Sequence, residues 1–234
     1  MFETEMKQTY TIGRVIRYGY IYSLLLIAVG FVSGLAIRSQ TMIGKLCALG
    51  AEIVTLVVLV AVMEVKAIPW LRGAMGETVV RGLIRDMYRS GVRGLEDVRY
   101  DNGGKANIDH IAVAPSGVWV IEVKYWNAEV ACDSQGLRKA GKPYGAQILK
   151  GCFAASKKVE GVLRDAGISA PVKPVLVIAG QFAKVNNGSR TCDGVIIIGR
   201  SWLRKIVVED GPNDVLTSAQ VNGIHKLLGE KSLI

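Results

Sequence analysis

Asp109, Glu122 and Lys124 are the residues whose types and spacing could do chemistry. They lie in the stretch from Ile108 to Trp126, IDHIAVAPSGVWVIEVKYW, which reads as two β-strands joined by a Pro-Ser-Gly turn. Side chains two positions apart on a strand point the same way. Glu122 and Lys124 therefore share a face with Val118 and Val120, and Asp109 shares one with Ile111 and Val113. Charges on otherwise apolar strand faces are rare unless they pair or bind a metal. Two carboxylates suit a hard divalent cation, which prefers oxygen ligands. Glu122 and Lys124 could equally form a structural salt bridge, and spacing alone leaves both readings open. His110 alternates to the face opposite Asp109 and reads as a packed or exposed histidine rather than a ligand. Trp119 and Trp126 read as core or rim.

The elements that must position these residues follow from hydrophobic period. Gly76 to Ser90 reads as an amphipathic helix with Val79, Val80, Leu83, Ile84 and Met87 on one side. Glu77 falls in its expected first turn, where a carboxylate also suits the helix dipole. Leu95 to Tyr100 reads as a strand, and Asp101-Asn102-Gly103-Gly104 as a tight turn into the central hairpin. A short strand is expected from Ala128 to Cys132, then a polar Gly- and Lys-rich stretch to Pro143. Tyr144 to Ala166 has helical periodicity, with Gln147 and Lys150 near its start. Pro174–Ala179 and Val195–Ile198 are continuous apolar runs typical of buried strands. Ser201–Val208 and Asp214–Leu228 read as closing helices. No internal repeat or low-complexity segment interrupts this order.

Charge narrows the class of partner. The chain of 234 residues carries 29 Lys and Arg against 20 Asp and Glu, a net +9, which suits a polyanion or an anionic membrane surface. Arg138, Lys139, Lys142, Lys150, Lys157 and Lys158 follow one another with no acid between Ser134 and Val159. Alone, such a run is a solvated surface; beside paired carboxylates it also suits phosphate contacts. Cys47, Cys132, Cys152 and Cys192 are scattered without a CxxC pair, so free thiols in a reducing compartment are expected. The sequence holds no P-loop, no Rossmann fingerprint and no Ser-His-Asp order.

The N-terminal part has a different character. Gly19 to Ile37 carries no charge, and Leu46 to Met63 is interrupted only by Glu52. Each run is near the ~20 residues that span a bilayer, so residues 1–70 are expected to form a two-span hairpin in the cell membrane. Cleavage of the first run as a signal peptide is disfavoured, because no A-x-A-like site follows. Lys7, Arg14 and Arg17 precede the hairpin and Lys66, Arg72, Arg81 and Arg85 follow it, which places both termini in the cytoplasm. Glu52 is expected to snorkel or to pair between helices. Pro69 is expected to end the membrane part, with Trp70 at the interface. A second domain over 73–234 follows.

The Asp109…Glu122-Val123-Lys124 arrangement resembles the PD-(D/E)xK nuclease superfamily, and more finely its nuclease-related domain, the NERD family. The resemblance rests on GAMGE (Gly73–Glu77), IDHIAV (Ile108–Val113), GVWVIEVKYW (Gly117–Trp126) and the Pro143…Gln147 pair, over about 73–180. It implies an α/β fold, a restriction-endonuclease-like mixed β-sheet flanked by helices and preceded by two transmembrane helices. It implies Mg²⁺ or Mn²⁺ held by Asp109, Glu122 and the Val123 carbonyl, with Lys124 orienting or deprotonating the attacking water or stabilising developing charge. By the same resemblance Glu77 would reach the metal or its water, and Gln147 would position water or backbone. Taken alone, Glu77 is as readily a dipole partner and Gln147 a capping or surface group. The proline that usually precedes the aspartate is replaced by Ile108.

A membrane-tethered, metal-dependent nuclease acting on DNA in preference to RNA is the resulting expectation. The alternative is a membrane-anchored nucleic-acid-binding or assembly module with the nuclease fold and little catalysis. Oligomeric state, mode of cleavage and sequence preference are not legible in the sequence.

Overall fold

The computed structural model describes residues 23–24, 27–34, 38, 41–62, 64–65, 68–100, 106–134, 136–185, 189–209 and 215–230. The chain divides into two compact units, Met1–Leu71 and Arg72–Ile234.

In the first unit, Ser23, Leu24 and residues 27–34 are helical. Helix α1 spans Met42–Val62. The Thr41 hydroxyl accepts the Gly44 N–H at 3.2 Å and supplies its cap. The stretch Met42–Ala61 has a mean hydropathy of 2.1 with no part of it buried, so this one helix is long and apolar enough to cross a membrane. Two spans were expected; the first run, residues 19–37, lies partly outside the described residues. The Ser33 hydroxyl donates to the Glu52 carboxylate, so Glu52 is paired between helices.

Helix α2 runs Ile68–Asp86, and a 3₁₀ turn follows at Tyr88–Ser90. The sequence placed this start at Gly76 and took Pro69 as a terminator. Pro69 instead lies in the first turn, where its missing N–H costs nothing because that donor has no intrahelical partner. The expected turn Asp101–Gly104 lies outside the described residues.

The strands are β1 Arg93–Tyr100, β2 Ala106–Ala114, β3 Gly117–Lys124, β4 Glu129–Asp133, β5 Gly136–Lys139, β6 Lys142–Pro143, β7 Val172–Ile178, β8 Lys184–Val185, β9 Ser189–Cys192 and β10 Val195–Gly199. They form a six-stranded sheet in the order β1-β2-β3-β7-β10-β9 and a four-stranded sheet in the order β6-β5-β4-β8. In the larger sheet β1, β2 and β3 run antiparallel, whereas β3, β7 and β10 are parallel. Helix α3, Ala146–Asp165, makes the crossover from β3 to β7, and α4, Ser218–Glu230, closes the chain.

β3 and β7 are the centre of the fold, with a core on each face. On one face Val80, Ile84 and Met87 of α2 pack with Trp119, Ile121 and Val123. On the other, Ala155, Val159 and Leu163 of α3 and Ile224 and Leu228 of α4 pack with Ile111, Val118 and Val120. A third cluster joins Val130 and Leu137 of the smaller sheet to Leu149, Cys152, Leu176 and Ile178. The β2–β3 turn is pinned where the Trp119 indole donates to Ser116 at 3.1 Å and Ser116 donates to the Val207 carbonyl at 2.6 Å. The expected helix at Ser201–Val208 is a 3₁₀ turn at Arg200–Trp202 followed by a π turn at Lys205–Glu209.

Cys132 and Cys192 are joined by a disulfide, with Cα atoms 6.0 Å apart and a sequence separation of 60. This corrects the expectation of four free thiols; Cys47 and Cys152 alone are free among the described residues. β4 and β9 lie in different sheets, so only the folded topology brings these sulfurs together, and no local spacing announces it.

Gly180 lies where β7 ends against the end of β3. A Cβ there would sit 1.9 Å from the Trp126 carbonyl oxygen, so only glycine lets the two strand ends close. In α2, a Cβ on Gly82 would meet nothing within 4 Å. Gly180→Ala is expected to destabilise the fold by about 1–3 kcal/mol through overpacking, and Gly82→Ala to stabilise it by ~0.5–1 kcal/mol. Thermal unfolding of the two variants checks the contrast.

Candidate active site

Asp109 lies at a gap in two β-ladders. The β1–β2 register pairs Glu96 with His110 and Val98 with Ile108, skipping Asp109. Asp97, the residue that would oppose it, has φ 55°. This is the left-handed region, which aspartate and asparagine tolerate better than most residues. The β2–β3 register ends at His110 and Ile121, one step short of Asp109 and Glu122. Beyond it the Asp109 side chain replaces the ladder, with Oδ2 accepting the Val123 N–H at 2.8 Å. The N–H and C=O of one strand residue project toward the same neighbour, so the Val123 carbonyl faces this gap as well.

Glu122 lies on the same strand. Lys124 Nζ is 2.5 Å from its Oε1, and both side chains are about one-third exposed, at 33% and 29%. The ion pair open from spacing is therefore formed.

Electrostatics separates the roles of these groups. Burial, then the Glu122 charge, push the Asp109 carboxyl up to about 7, Glu77 adds to the rise, and the Val123 N–H and Lys124 oppose it. Burial works to lower the Lys124 ammonium, but Glu122 and Asp109 outweigh it and the net shift is upward. A lysine acts as a base only when its pKa falls, and this upward shift favours the charged ammonium instead. Cys152 is pushed up to about 12 by burial first and Glu122 second. In the metal-free chain this disfavours the thiolate form.

Between the first half of α3 and β2–β3 lies a cavity of about 240 Å³. Glu122, Gln147, Asn107 and Cys152 line it along with Ile108, Ile148 and Gly151. Gln147 and Glu122 thus face one space, although they are far apart in sequence. Glu77 is well inside α2 rather than in a first turn, so the dipole role does not apply, and its charge acts on Asp109 instead. His110 is buried, 1% exposed.

Sequence reasoning missed Asp97, Asn107 and Cys152 around this site. Asn107 donates to Asp97 and fixes the strand where the ladder skips. Neither residue belongs to a chemical motif, so no local signal marks them. Cys152 reads in the sequence only as one of the scattered thiols.

The basic run is divided. Arg138 pairs with Asp133 at 2.6 Å, and Lys157 with Glu160 at 2.6 Å. Lys139 lies 4.9 Å from the centres of both the Trp126 and Tyr144 rings. Lys142 and Lys150 are exposed, and Lys158 is half-buried.

Among the described residues, no three or more His, Cys, Asp and Glu side chains converge as a metal cluster. The donor set at Asp109 is two carboxylates and a backbone carbonyl. That set fits Mg²⁺, which binds through one or two carboxylates and keeps several waters. Burial and the Glu122 charge both disfavour a second negative charge at Asp109, and a bound cation would offset them.

Residues 72–179 match the family model of the nuclease-related domain, NERD. The matched stretch holds Glu77, Asp109, Glu122, Lys124 and Gln147, and ends with β7. Comparison with curated proteins and with solved structures gave no match.

A testable consequence concerns Asp109 in the metal-free chain. Its folded pKa, about 7, lies above its ordinary value of 3.8. The protonated form therefore stabilises the fold, fully below about 3.8, and that contribution is lost as pH rises through about 7. With a chelator present, the stability difference between the native chain and Asp109→Asn should shift against the native chain between those pH values. Thermal midpoints across this range measure it; a pH-independent difference would assign the titration to another group.

Proposed function

We propose that this chain is a membrane-tethered, cytoplasm-facing, metal-dependent nuclease that hydrolyses phosphodiester bonds of DNA. The observation that carries the reading is the Asp109 gap: a largely buried carboxylate that accepts the Val123 N–H and feels the charge of Glu122, which itself lines a cavity shared with Gln147. The NERD match over residues 72–179 supports it.

Asp109, Glu122 and the Val123 carbonyl would hold Mg²⁺ or Mn²⁺. When bound, such an ion lowers the pKa of a coordinated water and stabilises charge on a phosphoryl oxygen. Lys124, kept protonated by Glu122, stabilises negative charge developing on the phosphate and orients the scissile group. Gln147 can hydrogen-bond a water or a phosphate oxygen in the cavity. Glu77 adds negative potential that favours a cation at the gap. Arg138, Lys139, Lys142, Lys150, Lys157 and Lys158 supply positive charge for the nucleic-acid backbone, with those already paired to carboxylates contributing less.

α1 provides the tether. Its apolar residues, among them Ile43, Leu46, Ile53, Val57 and Val60, are exposed along its length. An apolar helix with no protein core around it is satisfied by hydrocarbon. Basic residues flanking residues 19–63 favour the cytoplasmic side for both ends.

The alternative is a membrane-anchored binding or assembly module with little catalysis, and the Glu122–Lys124 ion pair is the feature that favours it. Incubating residues 72–234 with supercoiled plasmid and Mg²⁺ separates the two. Cleavage is expected, and Asp109→Asn or Glu122→Gln should each lower its rate at least ~100-fold, the loss typical of removing a group that stabilises transition-state charge. No cleavage, or rates unchanged in both variants, would sink the nuclease reading.

Gly151 gives an independent test of the cavity. It lines the space, and a Cβ on it would meet nothing within 4 Å. Gly151→Ala should stabilise α3 by ~0.5–1 kcal/mol, whereas Gly151→Leu should fill the cavity and suppress cleavage without lowering the melting temperature. Full activity in Gly151→Leu would place the substrate elsewhere.

A further inference from the structure

Near the end of β3, the smaller sheet and the start of α3 build a cluster whose aromatic rings the catalytic reading does not use. Trp126 and Tyr144 meet edge to face, with ring centres 4.8 Å apart and planes at 75°. Lys139 Nζ stands 4.9 Å from both ring centres, within the range of a cation–π contact. Trp126 is 8% exposed and acts as the buttress, while Tyr144 keeps 40% of its surface open. A second aromatic, Phe182, is 72% exposed. Its N–H donates to the Asn127 side chain at 3.3 Å, and the preceding Gly180 packs on the Trp126 carbonyl. Lys142 and Lys184 are exposed on the strands around them.

Two links tie this cluster to the acidic site. The Trp126 N–H donates to the Lys124 carbonyl at 3.1 Å, and two residues of chain span at most about 7 Å. Tyr144 directly precedes Gly145, the left-handed residue from which α3 starts and carries Gln147 into the cavity.

A rigid, half-open aromatic ring with a fixed ammonium beside it is the arrangement that stacks an unpaired base and neutralises the adjoining phosphate. Bases inside a duplex are already stacked on each other and cannot offer a face to it. From this juxtaposition we infer that Tyr144, backed by Trp126 and Lys139, is a stacking subsite for an unpaired nucleotide next to the Asp109–Glu122 site. The substrate class is accordingly single-stranded DNA or single-stranded ends and flaps, rather than continuous duplex. The inference rests on the nuclease reading for its purpose but not for its measurement.

The experiment is fluorescence anisotropy of labelled oligo-dT and of a duplex of equal length, with the full chain in detergent and a chelator present so that nothing is cut. Tyr144→Ala should weaken oligo-dT binding about tenfold, within the effect of losing one base stack, and change duplex binding less than twofold. Tyr144→Trp should bind oligo-dT as tightly as the native chain, and its binding also controls for folding. A chain that never cleaves yet loses oligo-dT on Tyr144→Ala would defeat the nuclease reading and leave this subsite standing. Unchanged oligo-dT affinity in Tyr144→Ala, or an equal loss for duplex, would overturn the subsite.

Discussion

The bond from the Val123 N–H to Asp109 Oδ2 is the interaction on which the site depends. A sheet normally satisfies each backbone donor with a neighbouring carbonyl. Here the ladder between β2 and β3 stops at His110–Ile121, and a side chain takes over the next donor. The ladder on the other side of β2 skips the same residue, because Asp97 turns into a left-handed conformation. Asp109 is thus lodged where the sheet has no main-chain use for the space. That is why a carboxylate can be largely buried there, and why burial is the first cause of its raised pKa.

Such a gap is tolerable only in a rigid frame. β3 and β7 are packed on both faces, so the strand that carries Glu122 and Lys124 has little freedom. α2 reaches that strand through Gly76, where even a methyl group would press on Val123 and Tyr125 at 3.3 Å. α3 covers the other face with Ala155, Val159 and Leu163, leaving its first turns over the cavity. The disulfide between Cys132 and Cys192 ties the smaller sheet to the edge of the larger one. Disulfides persist in oxidising compartments. Both cysteines are buried, at 8% and 3% exposure.

Much of this was legible in the residues. Period-two patterning gave β2 and β3, continuous apolar runs gave β7 and β10, and the stripe of α3 was read to within two residues. Asp109, Glu122, Lys124 and Gln147 could be singled out because each stands in a motif. Other features left no local trace. The start of α2 was misread because proline both ends helices and opens them, and only the chain beyond Gly76 shows which applies at Pro69. β8 and β9 are short and take their partners from distant segments, so their pairing exists only in the assembled sheets. Asp97 looks like any polar strand residue until its φ is known.

The charge on Lys124 follows from competition between two environments. Partial burial should drive the ammonium toward its neutral form, and this is the largest single influence on it. A carboxylate 2.5 Å away and a second one at Asp109 reverse the outcome. The Glu122 charge raises both groups: at Asp109 it adds to burial, and at Lys124 it works against burial. A lysine held in this way keeps its positive charge and is a poor proton acceptor.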